Sequence, residues 1–514
     1  MFLAVRNSFF VAAIIATAIF YYWLNWTPDV PVLGGDHADY LLTADLFSPF
    51  STRSHDVTQA VIPYAFFPPL YPLILGMLGG ISTHIEIAHA ITITFLIAAL
   101  VWYFVWIREE TRSVALAFFL ATVFAFLPTT FFQSFGILSE YLYLLLTLAA
   151  IRLLAKENPP LAHLYVAAAL IGMAVITRTI GITLVAAFVI YLRAHRHERL
   201  VRLTFISIVP LLLWNIIKWS IGYTGGYFWI ITSVLKKTDL YELLIENLFI
   251  QSHGLWTGWI TSFDHIPSLM TLIAGSAVGL VCVAGTIYRI YQKKFDGIYL
   301  FFYFGILLFW PFSQTTDSRR LLYTAVPILL LHGLKFTNHF MRRLRSVDNA
   351  VYGHVYLLIV ALVVLPDAGF IFHRLTMTSI QENKEYAKSF YWYSDLDPDT
   401  ARMKIRTYKR LIVSWERISR VVPEGECVYN VDPTWLMLYA DRPSYTTPYV
   451  PTKDQFIKEA KICRYFYVAS YVRSPYPLFY PKDYIIQKGH VVFVDRMQEM
   501  PGKPVLAMLI EMPK

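Results

Sequence analysis

Apolar residues come in long runs along this chain, and polar residues fall mainly in the gaps between them. Eleven apolar segments can be drawn, near 8–26, 82–107, 113–131, 137–154, 161–177, 180–193, 203–222, 267–288, 298–312, 320–338 and 351–372. Most approach the ~20 residues that a helix needs to cross hydrocarbon. Breaks of Gly, Pro or charge bound them. The fifth and sixth are short and share the turn at 177–181. The first ends in Tyr21, Tyr22, Trp23 and Trp26 with no small-x-small cleavage pattern. It therefore reads as an uncleaved anchor with an aromatic belt. Stretch 38–47 predicts a short interfacial helix, and the prolines at 68, 69 and 72 predict a rigid return to the membrane.

Beyond residue 372 the pattern changes. Asp397-Pro398 opens a predicted helix that runs to about Val421. Runs at 427–431, 465–470, 484–486, 491–495 and 505–510 read as strands, with short helices near 433–440 and 452–461. The expected fold is a polytopic α-helical membrane protein with a C-terminal α/β domain. The expected domains are 1–372, whose first outer loop is 27–81, and 373–514.

Charge sharpens this division. Residues 373–514 carry 21 Lys/Arg and 16 Asp/Glu, so 37 of 142 are charged, while 1–372 has only 42 of 372. A single soluble enzyme, a disordered chain and a disulfide-rich secreted module are excluded. Nucleic acid is not an expected partner, because no Lys/Arg stripe with interleaved aromatics occurs. With the N-terminus inside, the inner loops hold 16 of the 23 basic residues of the first part. The positive-inside rule then places 27–81, 223–266 and 373–514 outside. In a bacterium that means the inner membrane, with the C-terminal domain periplasmic or extracellular. Cys282 sits in an apolar run; Cys427 and Cys463 lie in the outer domain, where they are either one disulfide or two buried thiols.

Candidate chemistry lies on the outer side. Asp36 stands about ten residues past the first span, in a loop that folds back to the membrane. A carboxylate against apolar surface gains proton affinity and suits general-base work on a hydroxyl. After Gly34-Gly35 it is equally a turn former. Glu140 opens the fourth span, as a second outer carboxylate or as an acid at a helix N-terminus. Arg178 and the pair Arg319-Arg320 run against the topological bias. They either snorkel to the interface or hold a lipid phosphate. The spelling Asp395-Leu396-Asp397 suits a metal-diphosphate site in form, but it also makes a good helix start. No zinc spacing, glycine-rich phosphate loop or nucleophile elbow occurs.

These motifs together resemble the GT-C superfamily of integral-membrane glycosyltransferases. The nearer resemblance is to the protein O-mannosyltransferase and lipid A aminoarabinose transferase family. Asp36-His37-Ala38-Asp39-Tyr40 resembles its first-loop Asp with an aromatic four residues on. Pro68-Pro69-Leu70-Tyr71-Pro72, Ser139-Glu140, Thr177-Arg178-Thr179-Ile180-Gly181 and Arg320 with Pro327 match further motifs in order. Thr179, Leu321 and Phe66-Phe67 depart from the usual pattern. The resemblance implies an inverting transfer of a sugar from a polyprenyl-phosphate donor to a hydroxyl on a lipid, glycan or protein. It implies Asp36 and Glu140 as catalytic groups. His37, Asp39, Tyr40, Tyr71, Arg178, Arg319 and Arg320 would be substrate contacts. No cofactor is implied, and a divalent metal is left open. The rival classes are a polar-lipid transporter or flippase, and a non-catalytic envelope assembly protein. Transporters tend to carry paired broken spans in two halves, and no such pairing is seen.

Overall fold

The computed structural model describes residues 2–27, 36–64, 67–156, 158–220, 240–264, 268–308, 315–344, 398–448, 452–469, 482–496 and 504–513, with Val450 and single residues around 356–364. Gly34, Gly35, Phe66, Lys236, Lys237, most of the eleventh apolar segment and 395–397 lie outside them. The chain forms two compact units. One comprises Met1–Thr27, Phe67–Tyr71 and His89–Asn383; the other comprises Pro28–Phe66, Pro72–Ala88 and Lys384–Lys514.

The first unit is helical. Among the described residues, Ile85–Thr111, Leu200–Ser220 and Leu269–Tyr291 are long and apolar enough to cross a membrane. Shorter apolar helices include Leu161–Val175 and Phe295–Leu308. Two expected spans are broken. The third segment divides into Val114–Ala125 and Pro128–Ser134, bent by 56°, where Pro128 starts the second piece. The tenth divides into Thr315–Leu322 and Val326–Leu344. The Tyr303 hydroxyl donates to the Leu321 carbonyl at 2.5 Å and sits 2.9 Å from Thr324 Oγ1, which fixes that break.

One helix was not expected. Leu240–Phe263 runs for 24 residues through the stretch read as an outer loop. Glu242, Glu246, Gln251 and His253 interrupt its apolar run and hide it from a hydropathy reading. Its glycines let it approach the Thr315–Leu322 helix closely: a Cβ at Gly258 would lie 3.0 Å from the Arg319 backbone nitrogen. Small residues serve the same end elsewhere. A Cβ at Gly285 would run into the His332 carbonyl oxygen.

Two groups of buried charges in this unit are paired, as low dielectric favours. Asp296 takes the Arg289 guanidinium and the His332 Nε2, at 2.5 and 3.1 Å. The His332 Nδ1 lies 3.1 Å from Thr286. Glu110 takes Lys335 at 2.7 Å. His332 is thus a satisfied buried group.

The second unit holds a five-stranded sheet of order β2-β1-β3-β5-β4. The strands are β1 Val428–Asn430, β2 Ser444–Thr446, β3 Tyr465–Ala469, β4 His490–Arg496 and β5 Val505–Glu511. β1 pairs with β2 and β3 in parallel, and β5 pairs antiparallel with β3 and β4. The run at 484–486 is not a strand: it lies in the helix Lys482–Lys488. A three-residue apolar run carries no period to separate the two. Cys427 and Cys463 form a disulfide with Cα atoms 5.0 Å apart. The first-loop helix is also in this unit, as His37–Phe47, against the helix Pro433–Ala440.

Candidate active site

In the helical unit, Glu140 starts the helix Glu140–Leu154 behind Ser139. Its carboxylate is 1% exposed. Arg178 reaches Glu140 Oε1 at 2.7 Å and Ser139 Oγ at 3.3 Å. Arg320 donates from Nε to the same oxygen. Three motifs far apart in the chain therefore meet at one carboxylate. Among the described residues, none hydrogen-bonds Glu140 Oε2.

Local structure explains the aim of each arginine. Arg178 is extended, just before the single 3-10 turn Thr179–Gly181. That turn folds back on the preceding helix. A Cβ at Gly181 would lie 2.8 Å from the Ala174 carbonyl oxygen and the Val175 backbone, so only glycine closes it. The Leu70 amide donates to the Ile176 carbonyl at 2.9 Å, which ties the Pro-Pro-Leu-Tyr-Pro segment to the same turn. Arg319 and Arg320 ride on the short helix Thr315–Leu322. Arg319 is buried. Tyr71 is fully buried with its hydroxyl 2.7 Å from Thr92 Oγ1, which pins the helix Leu70–Met77 to the helix Ile85–Thr111.

In the other unit, Asp36 caps the helix His37–Phe47 without a side-chain cap bond. His37 is buried with its ring 6.5 Å from that of Trp435, edge to face. Tyr40 is buried. Asp39 is hydrogen-bonded to Thr434. Burial, then the charge of Asp36, push its carboxyl up to about 8, and the Thr434 bond pulls the other way. Asp432 adds a third carboxylate nearby. Among the described residues, no three His, Cys, Asp or Glu side chains converge as a metal site.

Thr434, Asp432 and Arg53 were not among the candidates drawn from sequence. Asp432-Pro433-Thr434 is a visible helix start, but nothing local says which helix it faces.

No protein family and no curated protein matches the chain by sequence. Solved structures do match by shape. The apo structure of ArnT from Cupriavidus metallidurans has a TM-score of 0.53 at 12% identity, covering 98% of each chain. The same enzyme bound to undecaprenyl phosphate gives 0.48 at 12% identity, over 98% of this chain and 97% of that one. The Archaeoglobus fulgidus oligosaccharyltransferase gives 0.48 at 13% identity, over 90% of this chain and 69% of that one. At such identities the likeness is one of fold: the chain shares the fold of the apo ArnT structure along nearly its whole length.

Proposed function

We propose that this protein transfers a sugar from a polyprenyl-phosphate donor to a hydroxyl acceptor, with inversion, at the outer face of a bacterial inner membrane. The observation that supports it best is the convergence of Arg178 and Arg320 on Glu140 at the head of an apolar helix. Two guanidiniums held on one anion are set up for a second anion, and their forked donors match phosphate oxygens.

The chemistry follows in one displacement. The acceptor oxygen bonds to the anomeric carbon as the bond from that carbon to the phosphate oxygen breaks. The hydroxyl proton passes to the Asp36 carboxylate. The leaving polyprenyl phosphate keeps the electron pair, and Arg178 and Arg320 stabilise the charge it gains. Glu140 holds the two arginines in place, because its Oε1 already accepts from both. Arg319 supports this helix, while His37, Asp39 and Tyr40 border Asp36. A divalent metal enters the proposal only as a further partner of the donor's phosphate.

The test is turnover by the purified protein in lipid nanodiscs, with labelled polyprenyl-phosphate sugars and lipid or glycan acceptors. Asp36→Asn should lower transfer by about 10²–10⁴-fold with thermal stability unchanged. Near-normal turnover by that folded variant removes Asp36 as the base.

A further inference from the structure

The site at Asp36 depends on a second helix that comes from the far end of the chain. Arg53 follows the helix His37–Phe47 and its side chain is 5% exposed. Its Nε donates to Asp45 Oδ2 at 2.9 Å and to Ser82 Oγ at 2.8 Å. Its Nη1 donates to the Met437 carbonyl at 2.7 Å and to Asp441 Oδ1 at 3.0 Å. Its Nη2 donates to the Leu438 carbonyl at 2.7 Å. One planar fork thus closes the C-terminal end of the helix Pro433–Ala440, reaching the Leu438 carbonyl and the Met437 carbonyl, which also accepts from the Asp441 amide. It ties that end to Asp45, in the last turn of the helix His37–Phe47.

At the opposite ends, Thr434 meets Asp39 and Trp435 meets His37. The two helices therefore run side by side in the same direction, with their N-termini together. Those N-termini carry Asp36 and Asp432 as cap residues. The clasp is built from residues that share no motif, yet each donor of the buried guanidinium named above has an acceptor.

We infer that Arg53 and Thr434 are positioning residues for the transfer site: Arg53 sets the helix Pro433–Ala440 so that Thr434 holds Asp39 beside Asp36. This rests on the reading of Asp36 as the base. The groups that face Asp39 are Asp36 on its own helix, Asp432 and Thr434 on the second helix, and the Tyr64 phenol on the 3-10 turn Ile62–Tyr64. Among the described residues three of these groups are acidic and none is a cation; burial first, and then these charges, keep the proton on Asp39 at neutral pH. A neutral Asp39 puts no second negative charge beside the carboxyl that takes the acceptor proton.

The experiment follows the carbonyl stretch of a protonated carboxyl by infrared titration of the full-length protein in nanodiscs. The band is assigned to Asp39 by its loss in Asp39→Asn. Wild type should lose it with a midpoint near 8. Thr434→Val should move the midpoint up, and Thr434→Ser should restore it. Arg53→Lys keeps the charge but loses the fork. It should loosen the second helix, expose Asp39 and move the midpoint down. Opposite shifts distinguish this clasp from general loosening, which moves both variants one way. In transfer assays the alkaline limb of the rate should follow these shifts. Arg53→Lys should lower kcat by about 10²-fold with the donor KM little changed.

A folded Thr434→Val protein with an unmoved titration overturns the inference, whatever the enzyme does. A folded Arg53→Lys protein whose midpoint does not fall removes Arg53 from the clasp. If wild type titrates and shifts as described but no polyprenyl-phosphate sugar is turned over, the clasp stands and the proposed activity falls.

Discussion

Glu140 shows how one residue's neighbours decide its work. An acid at a helix N-terminus gains up to about 1 kcal/mol from the helix dipole, which suffices for an exposed position. Glu140 is buried, and two guanidiniums close on it. Removing it leaves two positive charges facing each other in a dry place. Glu140→Ala should therefore cost about 3–5 kcal/mol, the usual penalty for breaking a buried ion pair from one side. Chemical denaturation in detergent measures this. Donor binding should fall with it, since the arginines lose their common anchor. Wild-type stability in Glu140→Ala would mean that other groups hold both arginines, and the organising role would lapse. The meeting of Arg178 and Arg320 was legible in outline, because both fall in turns expected on the outer side, where basic residues are scarce. Their meeting point was not, because nothing local to Arg178 or Arg320 says that both reach the carboxylate at the head of the helix Glu140–Leu154.

Elements were legible where a period was long and free of charge. The helices Ile85–Thr111 and Leu269–Tyr291 fall close to the expected spans. Leu240–Phe263 was missed because tertiary packing, rather than hydropathy, makes it a helix. β2 is three residues long and has no pattern of its own; it forms because β1 offers an edge. The strand positions that mattered most were readable. β1 and β3 are parallel neighbours in register, Val428 opposite Tyr465, and the helix Lys453–Glu459 lies between them in sequence. Cys427 and Cys463 stand just before those strands, which brings them within bridging range. The loop they close spans a sequence separation of 36. Chain entropy then gives about 3–4 kcal/mol of stabilisation. The unreduced, denatured protein should show one reactive thiol, from Cys282, and three after reduction. Three thiols before reduction would remove the bridge.

At the scale of the whole molecule, the membrane orientation proposed from the charges has a counterpart in the backbone. Arg112, Arg196 and Lys293 each adopt positive φ, at 56°, 49° and 55°. Each sits in a tight turn between two helices, and all three turns belong to the set expected inside. A non-glycine residue there pays a steric cost of roughly 1–2 kcal/mol. Glycine would relieve that cost, so the recurrence of Arg and Lys points to the charge as the property kept. The same turns lie at the Arg152–Glu109 end of the helix Glu140–Leu154, away from Glu140. With those turns inside, Glu140 and its arginines face the outer side, where a lipid-linked donor would present its sugar. Single cysteines separate this orientation from its inverse. Glu198→Cys lies in one of the basic turns, and Glu424→Cys lies in the turn before β1; both sites are exposed. In spheroplasts a membrane-impermeant maleimide should label Glu424→Cys at once and Glu198→Cys only after lysis. The buried Cys282 and the bridged pair contribute little background. The reverse labelling pattern would turn the molecule over, place the proposed site on the inner face and require a donor that faces the cytoplasm.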